Sequence, residues 1–443
     1  MNAGLWSVIM LVIMVGFIIY FTGKLKINAF FVLLGVALVY GVLIGMPLGD
    51  IVAAIKGGFG GTLSSIGIVI IAGTIMGIIL EKTGAALVMT RVILELVGRE
   101  RSPLAMNMAG LVVSIPVFCD SGFVILNPLN RALAKESAKS MAIMAVALAT
   151  GLYATHTMVP PTPGPIAAAG AVGANLGLVI LYGLIASIPA ALAGYLWAVK
   201  VAAKYDIPVG ETESYSDLIA KYGKLPTPFA SFLPLALPIV LILLKSVADL
   251  KSKPFGDEFA GSFISNIGDP VLALLIGVVC ALFLIPGKDI LEALDGWMGR
   301  GIKDAAIILA ITGAGGCFGR VLQGSPLVDF IKLNLSTASL GIFLPFIISA
   351  AIKTAQGSST VAIITTSAIM APMLAQLGIN PALCVIAVGA GAMVVSHAND
   401  SYFWVVSQFS NLPVNIAYRV YTTATAVEGA AAMIVVYVLS LIV

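Results

Sequence analysis

Four prolines and a glycine crowd the run Thr155-His156-Thr157-Met158-Val159-Pro160-Pro161-Thr162-Pro163-Gly164-Pro165, and long apolar stretches, 141–154 and 166–182, flank it. Each proline removes a backbone donor and clashes with the preceding turn, so a helix cannot run through this segment. The flanks are of bilayer grade, which puts the interruption at membrane depth. Freed backbone groups are tolerated there only where they line a polar cavity or are buried in protein. Ionisable groups inside a span are costly, so a histidine at the break marks a functional site.

Composition sets the frame. Of 443 residues 60% are hydrophobic and 10% charged, whereas soluble domains carry about 25% charged residues. This predicts an all-α polytopic membrane protein. A net charge of +3 gives no reason to expect a nucleic-acid partner. Cys119, Cys280, Cys317 and Cys384 have no paired spacing and the chain has two histidines, so they read as small apolar fillers, with neither metal nor cofactor expected. The first apolar run, 5–21, lacks a basic start and a cleavage site and reads as a retained span.

Spans of about 20 apolar residues are predicted at 5–22, 28–46 and 63–80, followed by a charged, amphipathic surface helix over 81–102. Residues 103–133 form two apolar arms around Cys119-Asp120-Ser121-Gly122. Arms of roughly 11 to 16 residues reach only about 16 to 24 Å, so they predict a re-entrant hairpin with Asp120 at its tip. The broken helix follows over 141–182, then a span at 184–199 and a cytoplasmic linker over 201–229. The second half, 230–443, repeats the order, with a hairpin over 340–371, a turn at 353–360 and a broken helix over 382–412 interrupted at Ser396-His397-Ala398-Asn399-Asp400-Ser401. A shift of about 240 residues superposes Gly73 on Gly313, Gly84 on Gly324 and Asp120 on Thr360, and one of 241 carries His156 onto His397. Basic residues cluster at Lys24 and Lys26, 82–139, 200–224, Lys288, Arg300 and Lys303. The positive-inside rule makes that side cytoplasmic, with both termini outside and the two halves inverted. Two inverted repeats (1–200 and 230–443), each with a hairpin and a broken helix, predict a binding site near the midplane where they meet.

The motifs Thr155-His156 with Val159–Pro165, Gly357-Ser-Ser-Thr-Val-Ala362, and Ser396-His-Ala-Asn-Asp400 with Phe403-Trp404 resemble those of the gluconate permease family, across nearly the whole chain. The resemblance implies a secondary transporter of the bacterial inner membrane that imports sugar acids by proton symport. The wider ion-transporter superfamily implies two hairpins in a mobile transport domain, a homodimeric scaffold and elevator-type movement. Where the chain has Thr162, Asp120 and Lys353, family members often carry histidine, glutamate and arginine. A shorter or differently oxidised hydroxy acid is therefore as well supported as gluconate.

Binding a small anionic acid needs donors for a carboxylate and a polar lining for hydroxyls. Half-helix N-termini supply the first. Gly357, Ser358, Ser359 and Thr360 at the second hairpin tip are the first candidates, against a packing role for small residues. Thr162 and Gly164 are their counterparts at the first break, and the prolines set shape. Asn399, Asn127 and Asn130 can donate and accept toward hydroxyls, with Asn127 equally suited to an interhelical bond. Coupling needs a group that titrates near working pH. His156, His397, Asp120 and Asp400 compete for that role, the two aspartates also being candidate helix caps. Lys353 could meet the substrate or pair with an acid, and Glu428, in the last span, has no evident role. A sodium-coupled carboxylate transporter is the nearest alternative; a passive channel and an intramembrane enzyme fit the pattern less well.

Overall fold

The structure, a computed structural model, describes residues 3–210, 225–249, 254–255, 259–327, 330, 340–398 and 400–443. Among the described residues every regular element is helical. Seven helices are long and apolar enough to cross a membrane, or up to eight if a pair bent by 65° counts as one span.

The first half runs α1 (Ala3–Ile19), α2 (Ala29–Leu43), α3 (Leu48–Lys82), α4 (Ala85–Val97), α5 (Ser102–Val113), α6 (Cys119–Glu136), α7 (Met141–Met158), α8 (Pro163–Val172) and α9 (Leu176–Lys200). The second runs α10 (Pro228–Ala248), α11 (Phe259–Ile267), α12 (Pro270–Leu282), α13 (Met298–Gln323), α14 (Phe343–Gln356), α15 (Ser359–Met370), α16 (Pro381–Met393), α17 (Ser401–Phe409) and α18 (Thr423–Ser440).

Several expected boundaries move. The third span is a 35-residue helix starting at Leu48 rather than 63, and it continues through Gly57, Gly58, Gly60 and Gly61. The cause lies across the interface: a side chain on Gly58 would collide with the backbone of Gly316, and one on Gly316 with Thr62. Bare glycines let α3 and α13 approach this closely, as small residues do between membrane helices. The two run antiparallel, since Gly58 meets Gly316 while Ile75 meets Gly301, and Thr74 Oγ1 donates to the Gly301 carbonyl at 3.1 Å.

The broken helix stops at Val172 rather than 182. Asn175 caps the next helix by accepting from the Leu178 amide at 3.1 Å, so residues 176–182 belong to α9. Likewise the linker ends before Pro228, where α10 begins after a Thr227 cap; its residues 211–224 lie outside the described set. The amphipathic segment becomes α4, whose apolar face is buried while Arg91 and Glu95 pair at 3.8 Å on the other.

The first pair of short helices closes as a hairpin. Ser102 and Ser137, at the open ends of α5 and α6, are hydrogen-bonded at 2.9 Å, and Arg99 pairs with Glu136 at 3.6 Å. Its turn is 114–118, containing Pro116, so Asp120 sits in the first turn of α6 rather than at the tip. The second pair turns at Gly357 and Ser358. Its arms of 14 and 12 residues reach only about 21 and 18 Å at 1.5 Å per residue, short of the roughly 30 Å hydrocarbon core.

The core is built from the interrupted segments. Every residue of α7 except Ile143 is buried, as is every residue of α16 except Pro381 and of α15 except Thr360. Helices that are apolar all round belong inside. The outer helices do the reverse, exposing Val12, Phe31, Phe229, Phe283 and Ile434; an apolar exterior of this extent suits lipid.

Candidate functional site

The two interruptions meet in the interior through reciprocal packing. Helix α8 lies on α15, α17 lies on α6, and α7 lies on α16. A side chain on Gly164 would come within 3.1 Å of Ile363 in α15. On the other side Asn127 Nδ2 of α6 donates to the Phe409 carbonyl ending α17, at 2.8 Å. Between the two first halves, Tyr153 of α7 donates to the Ala392 carbonyl of α16 at 3.2 Å, and from α17 Tyr402 donates to the Ala149 carbonyl of α7 at 3.0 Å.

The electrostatic centre joins the second hairpin to the second break. Lys353 Nζ, wholly buried one turn before the hairpin tip, lies 2.6 Å from Asp400 Oδ2. It also donates to the Gly357 carbonyl and stands 5.9 Å from the centroid of the Tyr153 ring. Gly357 has φ +96°, a conformation open to glycine at little cost, which turns its carbonyl back toward the lysine. Asp400 uses both oxygens: Oδ2 also accepts from Ser396 Oγ, and Oδ1 accepts from the Tyr402 amide at 3.1 Å. Asp400 is thus at once the cap of α17 and the partner of Lys353.

Ser396 is held in turn by the last span. Its amide donates to Thr425 Oγ1 at 3.1 Å, its carbonyl accepts from Thr422 Oγ1 at 2.6 Å, and its hydroxyl stands 3.2 Å from the Tyr421 hydroxyl. Tyr421 and Thr422 belong to a π-helical stretch, Tyr418–Thr422, a local defect frequent at functional sites.

Asp120 and His156 face this centre without completing it. The charges of Asp400 and Lys353 act on both of them. Asp120 Oδ1 and His156 Nδ1 are buried with no hydrogen-bond partner. Asp120 does not cap α6, which has no side-chain cap. The His156 ring lies 5.9 Å from that of Phe118 at the first hairpin's turn. A buried polar atom left unpaired costs about 1–3 kcal/mol, so these two atoms are the natural contacts for a guest molecule.

The remaining candidates fall around this core. At the first break Thr162 donates to the Val159 carbonyl at 2.6 Å, and the Pro160–Pro161 bond is cis. Pro163 and Pro165 carry no N–H, which leaves Gly164 as the donor among the first three residues of α8. The second hairpin offers more: Ser358 caps α15 by accepting from the Val361 amide at 3.3 Å, and the first-turn amides of Ser359 and Thr360 need partners from outside the helix. His397 is half-buried with Nε2 2.8 Å from the Thr354 carbonyl in the same hairpin's first arm. Asn399 lies outside the described residues. Asn130 is buried with both amide atoms unpaired. Among the described residues no group of three or more His, Cys, Asp or Glu could hold a metal ion.

Sequence reasoning did not single out Ser396, Tyr153, Tyr421, Thr422 or Thr425. Their signal is weak, since isolated hydroxyl residues in apolar spans are common, and the contacts of Tyr421, Thr422 and Thr425 with Ser396 and of Tyr153 with Lys353 are set by tertiary packing. A separate cleft of about 370 Å³ lies between α3, α8, α13 and α15, lined by Gly58, Thr62, Ser65, Gly316, Arg320 and Gln323; the charged cluster lies outside it.

With this geometry in view, the chain was compared with known proteins. A model described as GntP family permease matches residues 6–442. The gluconate permease of Pseudomonas aeruginosa is 34% identical over 444 residues, covering 98% of this chain and 97% of that protein. The D-serine transporter of Escherichia coli strain K12 is 33% identical, each chain being covered completely. Among solved structures, the YdaH transporter of Alcanivorax borkumensis superposes with a TM-score of 0.66 at 15% identity, covering 89% of either chain, which speaks for the fold alone.

Proposed function

The chain belongs to the GntP permease family, and on that premise we propose that it imports a small hydroxylated carboxylate, gluconate or a related sugar or hydroxy acid, by proton symport across the bacterial inner membrane. Two relatives are a gluconate permease and a D-serine transporter, and gluconate and serine share a carboxylate with a hydroxyl close by.

The observation that carries the reading is the buried Lys353–Asp400 pair at 2.6 Å, beside the unpaired Asp120 Oδ1 and His156 Nδ1. The pair is neutral as a unit. An incoming carboxylate, received by the first-turn amides of α15 and by Lys353, adds one negative charge. An uncompensated charge in the bilayer interior costs several kcal/mol. A proton taken up by Asp400 as the substrate displaces it from Lys353, or by Asp120, restores neutrality. Substrate and proton are then bound together or not at all, which is the condition for symport. His156, Thr162, Gly164, Asn127, Ser358 and His397 line the hydroxyl end of the site in this reading, and the hydroxyls of Ser359 and Thr360 stand beside the carboxylate.

The architecture proposed is two inverted repeats moving as an elevator in a dimer. Supporting it, helix ends recur with a shift near 240: α3 against Ile290–Gln323, α5 with α6 against α14 with α15, α7 against α16, and α9 against Val414–Ser440. The corresponding helices α3 and α13 run antiparallel.

Uptake of gluconate and of D-serine into proteoliposomes tests the function. Accumulation should follow an inward proton gradient and persist when choline replaces sodium. Accumulation that ignores the gradient would reject proton coupling, and dependence on sodium would select the sodium-coupled alternative.

A further inference from the structure

Glu428 lies in the middle of the last span, wholly buried within this one chain, and neither carboxyl oxygen has a hydrogen-bond partner. That removes a lipid-facing or dimer-facing position for it. Tyr421, Thr425 and Glu428 stand at i, i+4 and i+7, along one face of the last span. The upper two hold Ser396, and Ser396 Oγ donates to Asp400. Glu428 therefore sits at the foot of a polar column that ends on the Lys353 pair.

Helix α18 is packed by α9, α16, α7 and α14. Their ionisable residues are Tyr182, Tyr195 and Lys200 on α9, Cys384 on α16, Tyr153 and His156 on α7, and Lys353 on α14. None of them is hydrogen-bonded to Glu428. A carboxylate with no cation and no donor cannot remain ionised in such surroundings, so the group carries its proton here.

We propose that Glu428 is a second proton-carrying residue of the transport cycle: its carboxyl shares no direct hydrogen bond with the Tyr421 phenol, and a water bridging the two lets it exchange its proton with Asp400 through that phenol and the Ser396 hydroxyl. Each hydroxyl accepts one proton and passes one on. The carboxyl of Glu428 becomes carboxylate as that of Asp400 becomes neutral, so charge and protons balance. This inference rests on the proton-coupled reading above.

The test uses the full-length protein in proteoliposomes, with gluconate and D-serine as probes. One pH unit is worth 1.36 kcal/mol per proton, so wild type should accumulate gluconate about tenfold across such a gradient. Glu428→Gln should accumulate it about onefold while solute counterflow continues, and Glu428→Asp should recover part of the response. Infrared difference spectra should show a protonated-carboxyl band that Glu428→Gln lacks. Gradient-driven accumulation in Glu428→Gln equal to wild type overturns the inference and leaves the proton-symport reading standing. Equal loss of counterflow and accumulation in Glu428→Gln, unrelieved in Glu428→Asp, assigns it a structural role and also overturns it. Wild type that ignores the gradient, or takes up neither probe, overturns both readings. Should Glu428→Gln fail to fold, the band decides: its absence from wild type at neutral pH overturns the inference.

Discussion

A wholly buried ammonium group has few ways to exist, and Lys353 uses the strongest. Its pairing with Asp400 at 2.6 Å answers one charge with another, and the Gly357 carbonyl and Tyr153 face fill further directions. Removing one partner of such a pair strands the other, at a cost of about 3–5 kcal/mol. Lys353→Ala should therefore lower the thermal midpoint in detergent markedly. Lys353→Ala/Asp400→Ala should lose less than the sum of the single losses, since contacting residues couple by about 0.5–3 kcal/mol. A Lys353→Ala protein as stable as wild type would mean that Asp400 does not need this lysine, and the charge-balance account of symport would fall. His156 is the opposite case: its Nδ1 has no partner, so that atom adds no bond to the fold and remains open to a guest.

At the scale of elements, the interface between α3 and α13 depends on atoms that are absent. Gly316 has Thr62 where a side chain would go, and Gly58 has the Gly316 backbone. Gly316→Leu should force the two long helices apart and cost about 1–3 kcal/mol, read as a lowered unfolding midpoint; an unchanged midpoint would show that the helices separate freely. The same glycines explain what the sequence hid. The third span is expected to begin only at 63 because glycine is a poor helix former in isolation, yet a partner helix reverses that preference across Gly57 to Gly61. The proline break, the short arms of the second hairpin and the multi-span helical class were legible because they follow from backbone chemistry and apolar length, whereas the second arm of the first hairpin runs to 18 residues. The turn of the first hairpin falls before Asp120, rather than at Cys119 to Gly122, because Pro116 ends α5 early. The cluster around Asp400 was legible in part: pairing of Lys353 with an acid and a cap at Asp400 follow from residue type and position, but which acid Lys353 meets, 47 residues on, and the burial that gives Glu428 its meaning are tertiary.

For the whole molecule, the elevator reading demands that the broken helices and hairpins slide as a body against the long helices. The cleft of about 370 Å³ between α3, α8, α13 and α15 lies along that boundary. Gly170 at the end of α8 touches Ile66 of α3, and a Cβ built on Gly170 would lie 3.6 Å from the Ile66 Cβ. Disulfides form across Cβ separations of about 3.5–4.5 Å. Ile66→Cys/Gly170→Cys should therefore cross-link on oxidation, and if α8 moves past α3 the linked protein should stop accumulating substrate until it is reduced. Ser102→Cys/Ser137→Cys provides the comparison, since those hydroxyls already meet at 2.9 Å within one hairpin. A link inside a moving body restrains nothing, so that protein should transport whether oxidised or reduced. Should the Ile66–Gly170 link form completely and transport continue at the wild-type rate, α3 and α8 would belong to the same rigid unit. Substrate would then have to cross by rearrangement of the hairpin tips alone.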